Sequence, residues 1–160
     1  MLLIGGWDSS RGAGLDADRE VLASLSQPAR VVLSAVTEQG QEGVRQSWTL
    51  PADALLAQIE SAVGEGAVGA VKIGMLGTAA AVSAVAESIG GLNVPVVLDP
   101  VLCATRGGQL LSSDGVDALR ERLAPHVTLI TPNLPELEAL GGASWARNMG
   151  AAVLVKGGHM

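Results

Sequence analysis

Short apolar runs recur along the 160-residue chain. Nearly every one stops at a glycine or polar residue and gives way to a stretch with helical spacing. Such runs predict strands at 1–4, 30–37, 67–73, 94–98, 127–131 and 151–155. Several carry almost no polar residue, the pattern of strands buried on both faces. Strands alternating with helices restrict the chain to an α/β architecture: a largely parallel sheet with helices on both faces, in three α/β/α layers. Sheets of this type bind ligands beyond the carboxyl ends of their strands, so the residues after each run are where chemistry is expected.

The helical stretches carry their own signals. Leu15, Val21, Leu22 and Leu25 form one stripe after the first glycine-rich turn. Pro51 opens a helix whose buried side is Leu55, Leu56, Ile59 and Val63. Thr78 caps a helix carrying Val82, Val85 and Ile89, and Ser113 caps one carrying Val116, Leu119 and Leu123. A short helix follows Pro135, and residues 44–50 alternate loosely as a further strand after the polar loop 38–43.

Composition excludes several classes of function. A net charge of −6, with Trp7, Trp48 and Trp145 as the only aromatics, is opposite to what nucleic-acid binding needs. The longest uncharged apolar stretch, 73–86, is too short to span a membrane and is broken by Gly74 and Gly77. Cys103 is the only cysteine, so no internal disulfide forms and a reducing cytoplasm is expected. No Walker A sequence, G-x-S-x-G element or Cys/His metal spacing is present, and His126 and His159 are too far apart in sequence to suggest a metal pair.

The richest strand end is residues 5–18, Gly-Gly-Trp-Asp-Ser-Ser-Arg-Gly-Ala-Gly-Leu-Asp-Ala-Asp. Its glycines allow a tight turn and close approach of a ligand to the backbone. Asp18 falls on the core-facing stripe of the following helix, where a carboxylate needs a partner or a ligand. A distant cation or backbone amide satisfies that need as well as a substrate does. Residues 38–43, 72–77, 99–108, 133–136 and 156–158 are the other polar strand ends. Together they supply carboxylates, an amide, a cation and glycine turns, a mixture suited to phosphoryl transfer. Each also has a purely structural reading. Asp99 before Pro100 caps a turn; Asn133 and Glu136 start a helix; Lys72 snorkels to the surface; Lys156 is solvated; Cys103 is a small buried hydrophobe.

The segments G-W-D-S-S-R-G-A-G-L-D-A-D, K-I-G-M-L-G, V-V-L-D-P-V, L-I-T-P-N-L-P-E and V-L-V-K-G-G-H, in this order and spacing, resemble the bacterial hydroxymethylpyrimidine/phosphomethylpyrimidine kinases of thiamine biosynthesis. These belong to the ribokinase-like superfamily. The resemblance covers essentially all 160 residues as one kinase domain. It implies ATP-dependent phosphorylation of 4-amino-5-hydroxymethyl-2-methylpyrimidine and its monophosphate, with Mg²⁺, in a homodimer. Asp18 and Gln39 match positions that hydrogen-bond the aminopyrimidine, and Gly6, Met75 and Val101 match positions lining the same pocket. Asn133, Glu136 and Lys156 match positions on the nucleotide and phosphate side, with Asp99 and Glu136 near the metal.

The chain departs from the family pattern in places. Arg11 stands where glycine is common, Gly40 where asparagine is usual and Arg106 where a small residue is usual, and 141–150 is shorter than the family's helical region. The family's later Gly-Thr-Gly-Cys or Gly-Thr-Gly-Asp motif, which supplies an anion hole and the catalytic base, is expected beyond Met160. The resemblance therefore leaves no catalytic base to assign within these residues. The chain is expected to be a piece of a longer kinase or, as the alternative, a pyrimidine-binding relative without the transfer machinery.

Overall fold

The computed structural model describes residues 1–40, 43–104 and 107–157. The expectations placed on Gln41, Glu42, Arg106, Gly158, His159 and Met160 lie outside these residues, as does the catalytic base expected beyond Met160. Seven strands form one sheet: β1 (Leu2–Asp8), β2 (Arg30–Gly40), β3 (Gly43–Thr49), β4 (Val71–Ile73), β5 (Val96–Leu98), β6 (Leu129–Ile130) and β7 (Ala152–Val153). Their order is β3-β2-β1-β4-β5-β6-β7. Every pairing is parallel except β2 with β3, which form an antiparallel hairpin.

Alternation along the central strands sorts the helices. Leu2 and Ile4 of β1, Val71 and Ile73 of β4, Val96 and Leu98 of β5, and Ile130 of β6 face one side and are essentially inaccessible. They pack with α2 (Ala52–Gly64), α3 (Ala79–Ile89) and residues from α4 (Ser113–Ala118), whose end passes into a π-type turn carrying buried Leu119 and Leu123. Leu140, at the end of α5 (Leu134–Ala139), and Trp145 of α6 (Gly142–Asn148) close the same core. On the opposite face Leu3 packs against Leu15 and Leu22 of α1 (Gly14–Ser24).

Several boundaries differ from expectation. β1 does not stop at residue 4 but runs through Gly5 and Gly6 to Asp8, so the glycines serve the strand before they serve the turn. β2 and β3 extend into the expected loop, while β4 to β7 are shorter than their apolar runs. Only Leu15 and Leu22 of the α1 stripe are buried; Val21 and Leu25 are 59% and 62% exposed. Leu15 and Leu22 meet Leu3, with half-buried Leu33 beside them, and Val21 and Leu25 lie outside that cluster. Leu56 and Val63 of α2 are half-buried. Pro51 occupies the cap position before α2 rather than its first turn.

The capping expectations divide. The Thr78 hydroxyl accepts from the Ala81 amide at 3.2 Å, as an N-cap should. At α4 the cap position is Ser112, without a side-chain hydrogen bond, and Ser113 is already helical. Cys103 is exposed rather than buried. Among the described residues no helix is long and apolar enough to cross a membrane.

Candidate active site

A cavity of about 290 Å³ opens at the carboxyl ends of β1, β2, β4 and β5. Local geometry at three strand ends shapes it. The β1/β2 register shifts between Gly5 and Gly6, and the β2/β3 register between Glu38 and Gln39. The Gly74 amide bonds to the Ile4 carbonyl at 2.8 Å, continuing β4 past its last strand residue. Buried Ser34 donates from Oγ to the Met75 carbonyl at 2.5 Å, fixing the turn that follows. Met75 then lies over β1 so closely that a Cβ on Gly6 would stand 3.1 Å from its sulfur.

All five residues expected to line a pyrimidine pocket, Gly6, Asp18, Gln39, Met75 and Val101, line this one cavity. Asp99 lines it too. Trp7, Asp8, Thr37, Lys72 and Leu110 also contribute to the wall and were not singled out as pocket residues. Trp7 is held by an indole N–H bond to Asp16 Oδ2 at 3.0 Å. Asp8 is buried and accepts from the amide and hydroxyl of Ser10, both at 2.8 Å, which locks the turn into α1.

Lys72 is the clearest departure from the sequence reading. Rather than snorkelling to the surface, it crosses beneath α1 to Asp18, with Nζ 2.5 Å from Oδ2. Both side chains are about three-quarters buried, at 22% and 25% exposure. The need that Asp18 showed for a partner is thus met by a cation. The sequence signal was the alternation of Val71-Lys72-Ile73, which sends Lys72 to the face opposite its apolar neighbours.

The phosphate-side residues gather next to the cavity. Lys156 Nζ lies 2.6 Å from Asp99 Oδ1, and the Lys156 backbone runs alongside Asn133. Asn133 and Glu136 form a capping box: Asn133 Oδ1 accepts from the Glu136 amide and Glu136 Oε2 accepts from the Asn133 amide, both at 2.8 Å. Their structural reading is therefore correct as far as it goes. Asp99 joins the two groups, lining the cavity while holding Lys156.

Glu136 is 6% exposed. Burial pushes its carboxyl above the ordinary value of 4.5, against the pull of the Asn133 amide and the Lys156 ammonium; the Asp99 charge pushes the same way as burial. A raised native value means that the folded state binds the proton more tightly than the unfolded chain does. Stability from this group is therefore lost as pH rises through the native value and recovered as pH falls towards 4.5. Glu136→Gln keeps the capping geometry and removes the titration. Urea unfolding at a series of pH values should show wild type gaining on E136Q across that acid window. A constant difference would remove Glu136 as the source.

Among the described residues no group of three or more metal-ligating side chains converges. Asp99 and Glu136 come as a pair. That fits Mg²⁺, which keeps several waters and takes one or two carboxylates plus substrate phosphates. Arg11 keeps a left-handed backbone, φ 61°, which glycine would favour, and pairs with Glu20 at 3.3 Å on the surface. Gly40 is exposed at the end of β2.

The sequence model of the phosphomethylpyrimidine kinases matches residues 8–160. The chain belongs to this family. A hydroxymethylpyrimidine/phosphomethylpyrimidine kinase from Streptomyces coelicolor is 40% identical over 173 residues, covering 100% of this chain and 64% of the relative. The Escherichia coli enzyme of the same name is 40% identical over 174 residues, covering 99% of this chain and 65% of the relative. This phosphomethylpyrimidine kinase family member thus spans just under two thirds of the length of those relatives. The Streptomyces match is longer than the 160 residues here, so the relative carries inserted residues within the matched region. Among solved structures, phosphomethylpyrimidine kinase from Clostridium difficile 630 superposes with a TM-score of 0.85 at 31% identity, covering 99% of this chain and 75% of that one. A Staphylococcus aureus pyridoxal kinase in complex with pyridoxal gives 0.86 at 30% identity, covering 98% and 62%. The mostly parallel sheet is accordingly the ribokinase-like α/β fold expected from the sequence.

Proposed function

We propose that this chain binds 4-amino-5-hydroxymethyl-2-methylpyrimidine, or its monophosphate, and presents it for ATP-dependent phosphorylation in thiamine biosynthesis. One observation carries the reading: a single small cavity unites Asp18, Gln39 and Met75 and is joined through Asp99 to Lys156. Apolar walls from Met75, Val101 and Leu110 suit one heteroaromatic ring, and a few polar groups fix its orientation. Asp18 and Gln39 supply the acceptor and amide that ring nitrogens and an exocyclic amine require. The match to the kinase family over residues 8–160 favours the enzyme over a non-catalytic pyrimidine binder.

In the transfer step, the hydroxymethyl oxygen, or a phosphate oxygen of the monophosphate, forms a bond to the γ-phosphorus of ATP as the bond to the ADP oxygen breaks, and the hydroxyl proton leaves to a base other than the residues named here. Positioning and charge neutralisation dominate such catalysis. The cavity orients the nucleophile, and Lys156 faces the developing phosphate charge. Asp99, with Glu136 beside it, would be the residues to hold Mg²⁺, whose contribution there would be neutralisation of phosphate charge.

Calorimetric titration with the pyrimidine tests the reading; no binding by the folded chain would overturn it. Gln39→Leu should preserve the fold and weaken binding by about 1–3 kcal/mol, because a buried polar group of the ligand loses its partner. Unchanged affinity would remove Gln39 from the site.

A further inference from the structure

We infer that Lys72 is a substrate-reading residue, acting with Asp18 as a matched donor–acceptor pair: Lys72 donates to a pyrimidine ring nitrogen while Asp18 accepts from the neighbouring exocyclic amine. This rests on the function proposed above.

The placement of Lys72 makes the case. It is the middle residue of β4, between Val71 and Ile73, which are wholly inaccessible in the main core. A lysine here must project from the opposite face, into the space between β4 and α1, and it ends at Asp18. A charge pair removed from water gains little over well-packed apolar residues of the same volume, so packing alone does not call for it. Both members also line the cavity. Gly74, the next residue on that face, makes room for the ammonium; a Cβ there would stand 3.2 Å from Lys72 Nζ.

The pair is only half used within the protein. An ammonium has three N–H donors, and one is spent on Asp18 Oδ2. Among the described residues no other acceptor meets Lys72, and no other donor meets Asp18. The remaining capacity of both therefore belongs to whatever fills the cavity. The charges also cancel. Asp18 alone would favour a cation and Lys72 alone an anion, whereas together they offer an acceptor beside a donor to a neutral ring. An amine next to a ring nitrogen presents the complementary order. An analogue with oxygen in place of the amine presents the reverse: its carbonyl meets the carboxylate and its ring N–H meets the ammonium.

The test compares the aminopyrimidine with this oxo analogue by calorimetry on wild type and Lys72→Met. Wild type should prefer the amine. K72M should bind it roughly tenfold to a hundredfold more weakly, the value of a hydrogen bond to a charged group, and should lose the preference over the oxo analogue by a similar factor. A purely structural lysine would weaken both compounds alike, so an unchanged preference in folded K72M would overturn the assignment. Should K72M fail to fold, Lys72→Gln carries the test: it keeps a donor without the charge, and its preference should fall several-fold, while an undiminished preference overturns the assignment. Wild type that binds neither compound would overturn the proposed function and this inference with it. Wild type that binds the amine, with K72M retaining its selectivity, would overturn the Lys72 assignment alone.

Discussion

Replacing Gly14 with alanine should destabilise the protein by about 2–4 kcal/mol, lowering Tm by roughly 5–15 °C. Gly14 is the first residue of α1 and has φ 66°, a conformation costly for any residue with a Cβ. Sterics add to the torsional cost, since a Cβ there would lie 2.5 Å from the Gly6 carbonyl oxygen and 3.4 Å from the Asp8 amide. Neither atom is the end of a flexible side chain, so α1 and the end of β1 must move apart. Those two elements carry Asp18 and Gly6, so the cavity deforms with them. Gly12→Ala is the internal control. It would meet only side-chain oxygens, at 3.4 and 3.7 Å, and should be close to neutral. Thermal unfolding of the two variants side by side checks the contrast, and a G14A within about 0.5 kcal/mol of wild type would refute it.

The largest binding effect is expected at Asp18. Asp18→Ala removes the carboxylate acceptor and leaves the Lys72 ammonium facing the cavity without its counter-charge. Truncating one member of a desolvated charge pair costs about 2–5 kcal/mol at a binding surface. The partial exposure of both groups places this site towards the lower half of that range, an affinity loss of roughly 30- to 400-fold for the aminopyrimidine. The effect should exceed that of Gln39→Leu, which removes a neutral partner. Calorimetric affinities for D18A and Q39L decide the order, and equal or reversed losses would show that Asp18 serves mainly to pair with Lys72.

The sheet was legible because its strands are apolar and end in glycine or polar residues, a pattern that survives errors in length. Strand limits were not, because apolar residues extend beyond the ladder: the Ala70 carbonyl still accepts from the Leu2 amide, but 67–69 precede β4 without joining it. At α1 the periodicity located the helix but overstated its buried side, since periodicity cannot say how much sheet lies beneath Val21 and Leu25. Thr78 was found because an N-cap is a local device. Ser112 and Ser113 are adjacent and chemically equivalent, so no local rule separates them.

The site was legible in its members but not in its connections. Asp18 could be seen to need a partner, yet the partner lies 54 residues away, and the only hint was the charge in the middle of Val71-Lys72-Ile73. The Asp99–Lys156 pair spans 57 residues and two further strands in the same way. Such pairs depend on strand order, which local patterns do not encode. Asn133 and Glu136 illustrate the converse, a local capping motif that also places a buried carboxylate beside a distant ion pair.

The strand order also bears on how the chain is made. β1 is made before both of the strands it pairs with, β2 and β4. From β4 onwards the order β4-β5-β6-β7 repeats the order of synthesis. Each new parallel strand therefore meets a template that already exists, and the slow step of finding a distant partner is taken one strand at a time. The same order leaves the newest strand as an unpaired edge at every stage of growth, the kind of surface that invites mispairing with another nascent chain until the next strand covers it.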